Sequence, residues 1–176
     1  GDVYKRQVVL CMGLDESSES EGLDRSHICI PENQKQLLEA VAQANENLVV
    51  VLSAGSVVET GWVSRCKAVL NAYLGGQAGA GAMVDVLTGK VNPSGSLVDT
   101  YCYDNFSAPA MWNFTPTTYE GYVEGGDVPA KSKSYMIYQE GIYVGYKYYE
   151  TRYEDFVTGS GNAGDYAYGD TVAYPF

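Results

Sequence analysis

With 176 residues, 45% of them hydrophobic and 19% charged, the chain is long enough to bury one real core and too apolar to stay disordered. Its net charge of −11, with the 11 Lys and Arg scattered, repels phosphate backbones and argues against a nucleic-acid partner. No apolar run reaches the roughly 18 residues that span a membrane, so no membrane partner is expected.

In chain order, residues 1–7 fit nothing that follows and lack the apolar stretch of a signal peptide. The string Asp2-Val3-Tyr4-Lys5-Arg6-Gln7 looks like translated adapter read-through, so 1–7 reads as a non-native leader, with the native chain entering in mid-strand. Val8–Met12 is a short apolar run closed by Gly13 and predicts a buried strand. The polar, acidic stretch from Leu14 to His27 must be a loop. Pro31 sits at an expected first helical position, with Gln34, Leu37, Leu38, Val41 and Ala44 forming one stripe behind it. Leu48–Leu52 predicts a second buried strand, closed by Ser53-Ala54-Gly55. Ala68–Leu74 predicts a third, stopped by Gly75-Gly76, and Gln77–Leu87 a helix ending at Gly89. Asn92-Pro93-Ser94-Gly95 is a turn, and Leu97–Tyr101 a candidate fourth strand.

Apolar strands alternating with helices predict an α/β fold, a mostly parallel sheet with helices on both faces. In such sheets chemistry gathers in loops beyond the carboxyl ends of strands, and the loop after Met12 lies at such an end. From about Asp104 the composition turns to Pro, Gly, Ser, Thr and Tyr without a clear period. Residues 8–104 therefore read as the sheet-bearing portion (the sandwich portion, on the resemblance given below), and 105–176 as a long irregular excursion and terminal extension of the same domain. Within it, Tyr143–Tyr149 alternates and predicts one strand.

Four widely spaced cysteines (Cys11, Cys29, Cys66, Cys102) form neither a zinc pattern nor a dense disulfide framework and lean towards a reducing, cytoplasmic setting. The single histidine, His27, rules out an H-E-x-x-H metal site, and any Ser-His-Asp triad would have to use it. Gly75–Gly81 lacks the register of a phosphate loop and reads as helix–sheet packing. No metal or cofactor is called for.

The acidic loop contains Asp15-Glu16-Ser17-Ser18-Glu19-Ser20-Glu21-Gly22-Leu23-Asp24-Arg25. Gly22 permits a tight turn, and Asp24 and Arg25 are expected to pair and fix the loop. A carboxylic acid held partly desolvated at the mouth of a cleft has its pKa raised and can protonate a glycosidic oxygen. A solvated acidic loop without chemistry fits the same string. Trp62 is expected in the core, whereas Trp112 is the better aromatic platform for a sugar subsite.

Five motifs carry a resemblance. In order they are Glu21-Gly22-Leu23-Asp24-Arg25, Ile30-Pro31-Glu32-Asn33-Gln34, Val49-Val50-Val51-Leu52, Gly76-Gln77-Ala78-Gly79 and Asn92-Pro93-Ser94-Gly95. The block Tyr138-Gln139-Glu140-Gly141-Ile142-Tyr143-Val144-Gly145-Tyr146-Lys147-Tyr148-Tyr149 follows. From about Val8 to Tyr149 the chain resembles the second, α/β-sandwich domain of glycoside hydrolase family 3, the β-glucosidase-like enzymes. Ala78 stands where the family usually has Glu, and Ser96-Leu97-Val98-Asp99-Thr100 replaces R-L-P-x-T.

The resemblance implies a fragment of a retaining, exo-acting β-glycosidase that hydrolyses terminal β-linked glycosides or oligosaccharides, inactive by itself. It implies that Glu21 is the general acid/base, with Glu19 and Glu16 as fallbacks, and that the nucleophile is an Asp on a TIM-barrel domain absent from this chain. Two other readings remain open: a non-catalytic carbohydrate-binding or interaction module of the same fold, and a nucleotide-binding α/β domain. In family members that act on N-acetylglucosamine and place the acid/base on the barrel, Glu21 would be idle.

Overall fold

A computed structural model describes residues 7–127, 133–161 and 167–176. Most of the expected leader, residues 1–6, lies outside the described residues. The described chain divides into two compact units, one running to Tyr103 and taking in Tyr174–Phe176, the other spanning Asp104–Ala173.

The first unit is built on a three-stranded parallel sheet of β1 (Val8–Gly13), β2 (Leu48–Ser53) and β3 (Ala68–Asn71), in that order. The register sets Met12 beside Leu52 and Leu52 beside Asn71, so the three strands end together. The middle strand carries the most apolar run because it is shielded on both edges by its neighbours. Leu48, Val50, Val51 and Leu52 are all buried. Met12, Ile30, Leu38, Ala54, Val58, Trp62 and Tyr101 join Leu48, Val50 and Leu52 in one core. Trp62 is buried, as its position between β2 and β3 leads one to expect.

Helix α1 (Glu32–Ala44) joins β1 to β2, which is what parallel neighbours require. Pro31, expected as its first residue, is instead the cap, at φ −53 and ψ 134. The buried stripe is narrower than expected. Leu38 is fully buried, whereas Leu37 is 52% exposed, because its Cα lies a quarter-turn away from the sheet-facing line. Helix α2 (Gly79–Leu87) starts two residues later than expected and ends at Leu87, and Gly89 just beyond it has a φ of 74 that suits a residue without a Cβ.

Two expected strands are shorter than their apolar runs. The third stops at Asn71, because Tyr73 takes a left-handed φ of 50 that no strand accommodates. The fourth is confined to β4 (Tyr101–Cys102), with a bend at Val98 and Asp99 before it.

The second unit holds short elements: α3 (Pro109–Trp112), an antiparallel pair of β5 (Thr117–Thr118) and β6 (Ser134–Tyr135), α4 (Tyr146–Thr158) and α5 (Tyr168–Thr171). Helix α4 corrects the strand expected over Tyr143–Tyr149. The aromatic alternation there is local. From Tyr146 the apolar positions Tyr149, Tyr153 and Phe156 follow helical spacing, and Gly145 at φ 58 turns the chain into the helix. Tyr149 is its buried contact, with its hydroxyl 2.7 Å from that of Ser107.

Candidate active site

The carboxyl ends of β1 and β2 build the loop that carries the acidic string. At Gly13 a Cβ would overlap the Ser53 carbonyl oxygen, so only glycine lets the two strand ends close together. Gln34 of α1 clamps this point from the side. Gly13 N–H donates to Gln34 Oε1 at 3.0 Å, and Gln34 Nε2 donates to the Gly13 carbonyl at 2.8 Å. The glutamine that closes the Ile30–Gln34 motif thereby satisfies both backbone groups of the residue where the strand becomes loop. Leu14 N–H continues the ladder to the Ser53 carbonyl at 3.0 Å.

The first part of the loop is wound around Asp15. Its Oδ1 accepts from the Ser17 hydroxyl at 2.7 Å, the Ser18 hydroxyl at 2.9 Å and the Ser18 N–H at 3.0 Å. Those hydroxyls hold the Asp15 carboxyl below the usual carboxylate range, because they bond its charged form. Glu16 lies exposed on this turn, with no hydrogen bond or ion pair to its carboxylate among the described residues.

Glu19 is tied across to the loop after β2. Its Oε2 accepts from Gly55 N–H at 2.9 Å and its Oε1 from the Ser56 hydroxyl at 2.7 Å. Burial pushes this carboxyl up, but the bonds from Gly55 and Ser56 and the Arg25 charge together outweigh it and hold it below its ordinary value.

Glu21 sits at the apex of a tight turn. Leu23 N–H bonds the Ser20 carbonyl at 3.3 Å, and Gly22 has φ 77. Because Glu21 itself does not have positive φ, this is a type II turn, whose third residue must be glycine or an equivalent. The Glu21 side chain is exposed and has no hydrogen-bond or ion-pair partner among the described residues.

Arg25 crosses to the same loop as Glu19. Its Nη1 donates to the Ser56 hydroxyl at 2.9 Å and to the Val57 carbonyl at 3.0 Å, and Nη2 is buried without a partner among the described residues. The Asp24–Arg25 pair expected from the sequence is not formed: Asp24 is exposed, and the guanidinium is directed to Ser56 and Val57 instead. Further along, Glu59 N–H donates to the Ile28 carbonyl at 2.8 Å, and its Oε1 accepts from Ile30 N–H at 3.1 Å, fixing the way out of the loop.

The structure thus gathers Glu19, Arg25 and the turn bearing Glu21 on the sheet unit. Trp112 belongs to the second unit, where it is 72% exposed, packs edge-on to Phe106 at 5.3 Å and donates from Nε1 to the Phe106 carbonyl at 2.8 Å. His27 is exposed. No cluster of His, Cys, Asp or Glu among the described residues is arranged to hold a metal ion. The sequence marks Gly55 only as the close of the second strand and gives no sign that Ser56 belongs to the site, because a short small-residue run after a strand is their only signal.

The model of the glycosyl hydrolase family 3 C-terminal domain matches residues 4–146. The chain belongs to glycoside hydrolase family 3. Thermostable beta-glucosidase B of Acetivibrio thermocellus is 46% identical over 144 residues, which is 82% of this chain and 17% of that protein. An exo-alpha-(1->6)-L-arabinopyranosidase of Bifidobacterium longum is 39% identical over 168 residues, 95% of this chain and 19% of the relative. Among solved structures, the family 3 beta-glucosidase of Bifidobacterium adolescentis superposes with a TM-score of 0.70 at 42% identity, covering 84% of this chain and 20% of that one. Beta-glucosidase from Kluyveromyces marxianus, in complex with glucose, gives 0.69 at 32% identity, covering 96% and 16%. The family 3 chain therefore spans at most about a fifth of the length of these proteins. Its α/β fold, with the parallel sheet, is that of the family's C-terminal sandwich domain.

Proposed function

We propose that this domain supplies the general acid/base of a retaining, exo-acting β-glycosidase that cleaves terminal β-linked sugars. The observation that carries the reading is the sorting of the loop's carboxylates. Asp15 and Glu19 are consumed by hydrogen bonds, whereas Glu16, Glu21 and Asp24 are exposed, and of these three Glu21 is the one held at the tip of a glycine-enforced turn, where the family motif expects the acid/base. A proton donor must have an uncommitted carboxyl that reaches the substrate, and a rigid turn keeps it in place at little entropic cost.

Glu21 would protonate the glycosidic oxygen as it leaves, then take a proton from the water that releases the glycosyl enzyme. Retention needs a second carboxylate roughly 5–5.5 Å away as nucleophile. We assign it to an Asp on a barrel domain of the longer protein, so this domain alone is expected to be inactive. Membership of family 3 and the likeness to beta-glucosidases support the assignment. The arabinopyranosidase among the relatives leaves glucose as one of several candidate sugars, because most contacts to the cleaved sugar would come from the barrel.

The test is Glu21→Gly in the full-length enzyme, assayed on an aryl glycoside with a good leaving group. Turnover is expected to fall by about 10²- to 10⁴-fold and to return with azide, which needs no general base to attack the glycosyl enzyme. Undiminished turnover, or a loss that azide leaves untouched, contradicts the assignment.

A further inference from the structure

Resting on the reading of Glu21 as proton donor, we infer that Glu19 is a positioning residue that holds Glu21 through a Ser56 pivot shared with Arg25. The turn from Ser20 to Leu23 has two feet, Glu19 before it and Arg25 shortly after it. Both reach the same hydroxyl. Ser56 Oγ donates to Glu19 Oε1 at 2.7 Å and accepts from Arg25 Nη1 at 2.9 Å. One hydroxyl carries one proton and two lone pairs, so giving its proton to Glu19 leaves a lone pair for the guanidinium. The two bonds orient each other, and each foot is also tied to the backbone of the same loop, Glu19 to Gly55 N–H and Arg25 to the Val57 carbonyl.

This arrangement requires Glu19 as a carboxylate. Both of its oxygens accept, which only the ionised group does without giving up a bond. A proton shuttle needs one oxygen free for substrate, and Glu19 has none to spare. The loop after β2 is shaped to admit it: a Cβ on Gly55 would stand 3.1 Å from Glu19 Oε1 and 2.9 Å from Leu74 Cδ1. Without the brace, the apex would move on its glycine hinge, and a displacement of about 1 Å at a reacting group costs on the order of 100-fold in rate.

The experiment compares Glu19→Gln, Ser56→Ala, Glu21→Gln and the double variant Glu19→Gln/Glu21→Gln in the full-length enzyme, on an aryl glycoside with a poor leaving group for kcat and KM and on one with a good leaving group for azide rescue. Glu19→Gln is expected to lower kcat on the order of 10- to 100-fold with KM little changed and no azide rescue. Ser56→Ala should do the same to a smaller degree. The double variant should be no slower than Glu21→Gln, since a residue acting only through Glu21 has nothing left to position. Azide rescue of Glu19→Gln would make Glu19 a proton donor and overturn the inference. Multiplying losses in the double variant, or an unaffected Glu19→Gln, would overturn it as well. If Glu19→Gln does not fold, Ser56→Ala paired with Glu21→Gln carries the same test. An unaffected Glu21→Gln would instead sink the underlying assignment of the proton donor.

Discussion

The two units are held together by different means. The sheet unit encloses a contiguous apolar cluster in which Leu38, Leu48, Val50 and Val58 are almost wholly out of water. In the unit Asp104–Ala173 only Ala108, Tyr149 and Val172 are buried among the described apolar residues, and the contacts there are mostly hydroxyl bonds and ring pairs. Ser107 and Tyr149 share a hydrogen bond, Tyr168 donates to Glu150 Oε1 at 2.6 Å, and Tyr153 and Tyr168 pack with ring centroids 4.7 Å apart. A group that must hold position, as the proposed proton donor must, belongs on the first kind of scaffold, and the braced acidic loop is there. The tyrosine-rich unit suits adaptable, amphipathic contact surfaces.

The contrast can be broken most forcefully in the core. Leu38→Ala should destabilise the sheet unit by about 2–5 kcal/mol, because a fully buried leucine leaves a cavity behind. Phe156→Ala, at a half-exposed position of α4, should cost well under half of that. Amide hydrogen exchange resolves the two, and equal losses would erase the distinction. Next, Arg25→Ala in the full-length enzyme should lower turnover on the order of 10-fold or more, while Lys147→Ala, exposed on α4, should leave it near wild type. Comparable effects would count against the loop-fixing role.

A smaller effect is expected from Tyr149→Phe, which removes the bond to Ser107 and should cost the second unit about 1 kcal/mol, seen as faster exchange in α4. The least is expected from acid. Glu19 titrates below its ordinary value of 4.5 in the folded chain, so its bonds add stability above that pH and lose it as pH falls through the lowered value. Glu19→Gln should therefore flatten the acid limb of stability below about pH 4.5. An unchanged limb would mean that the bonds to Gly55 and Ser56 contribute nothing in solution.

Much of the sheet unit was legible in the sequence because its signals are local and apolar. Val8–Gly13 and Leu48–Ser53 are uninterrupted hydrophobic runs ended by small residues, and the stretch between them has helical spacing. The premature end of β3 was not legible, since nothing about a tyrosine announces a positive φ. Helix α4 was missed because alternating aromatics mimic a strand until the spacing beyond Tyr149 is weighed. In the site, the turn at Gly22 follows from the sequence directly. The partners of Arg25 do not, because Asp24 is the nearer charge along the chain, whereas Ser56 and Val57 are near only once β1 and β2 pair in parallel. The different tethering of Glu19 and Glu21 is hidden for the same reason, as Gly55 and Ser56 bond one carboxylate and not the other.

The central claim, that Glu21 gives its proton to the departing sugar oxygen, is tested most directly by the dependence of kcat/KM on leaving-group acidity in the full-length enzyme. With Glu21→Gln the rate should fall steeply as the leaving group becomes more basic, while activated aryl glycosides keep much of their reactivity. The unsubstituted enzyme should show only a shallow slope. Parallel lines for the two proteins would contradict the account, because they would mean that no proton from position 21 reaches the breaking bond.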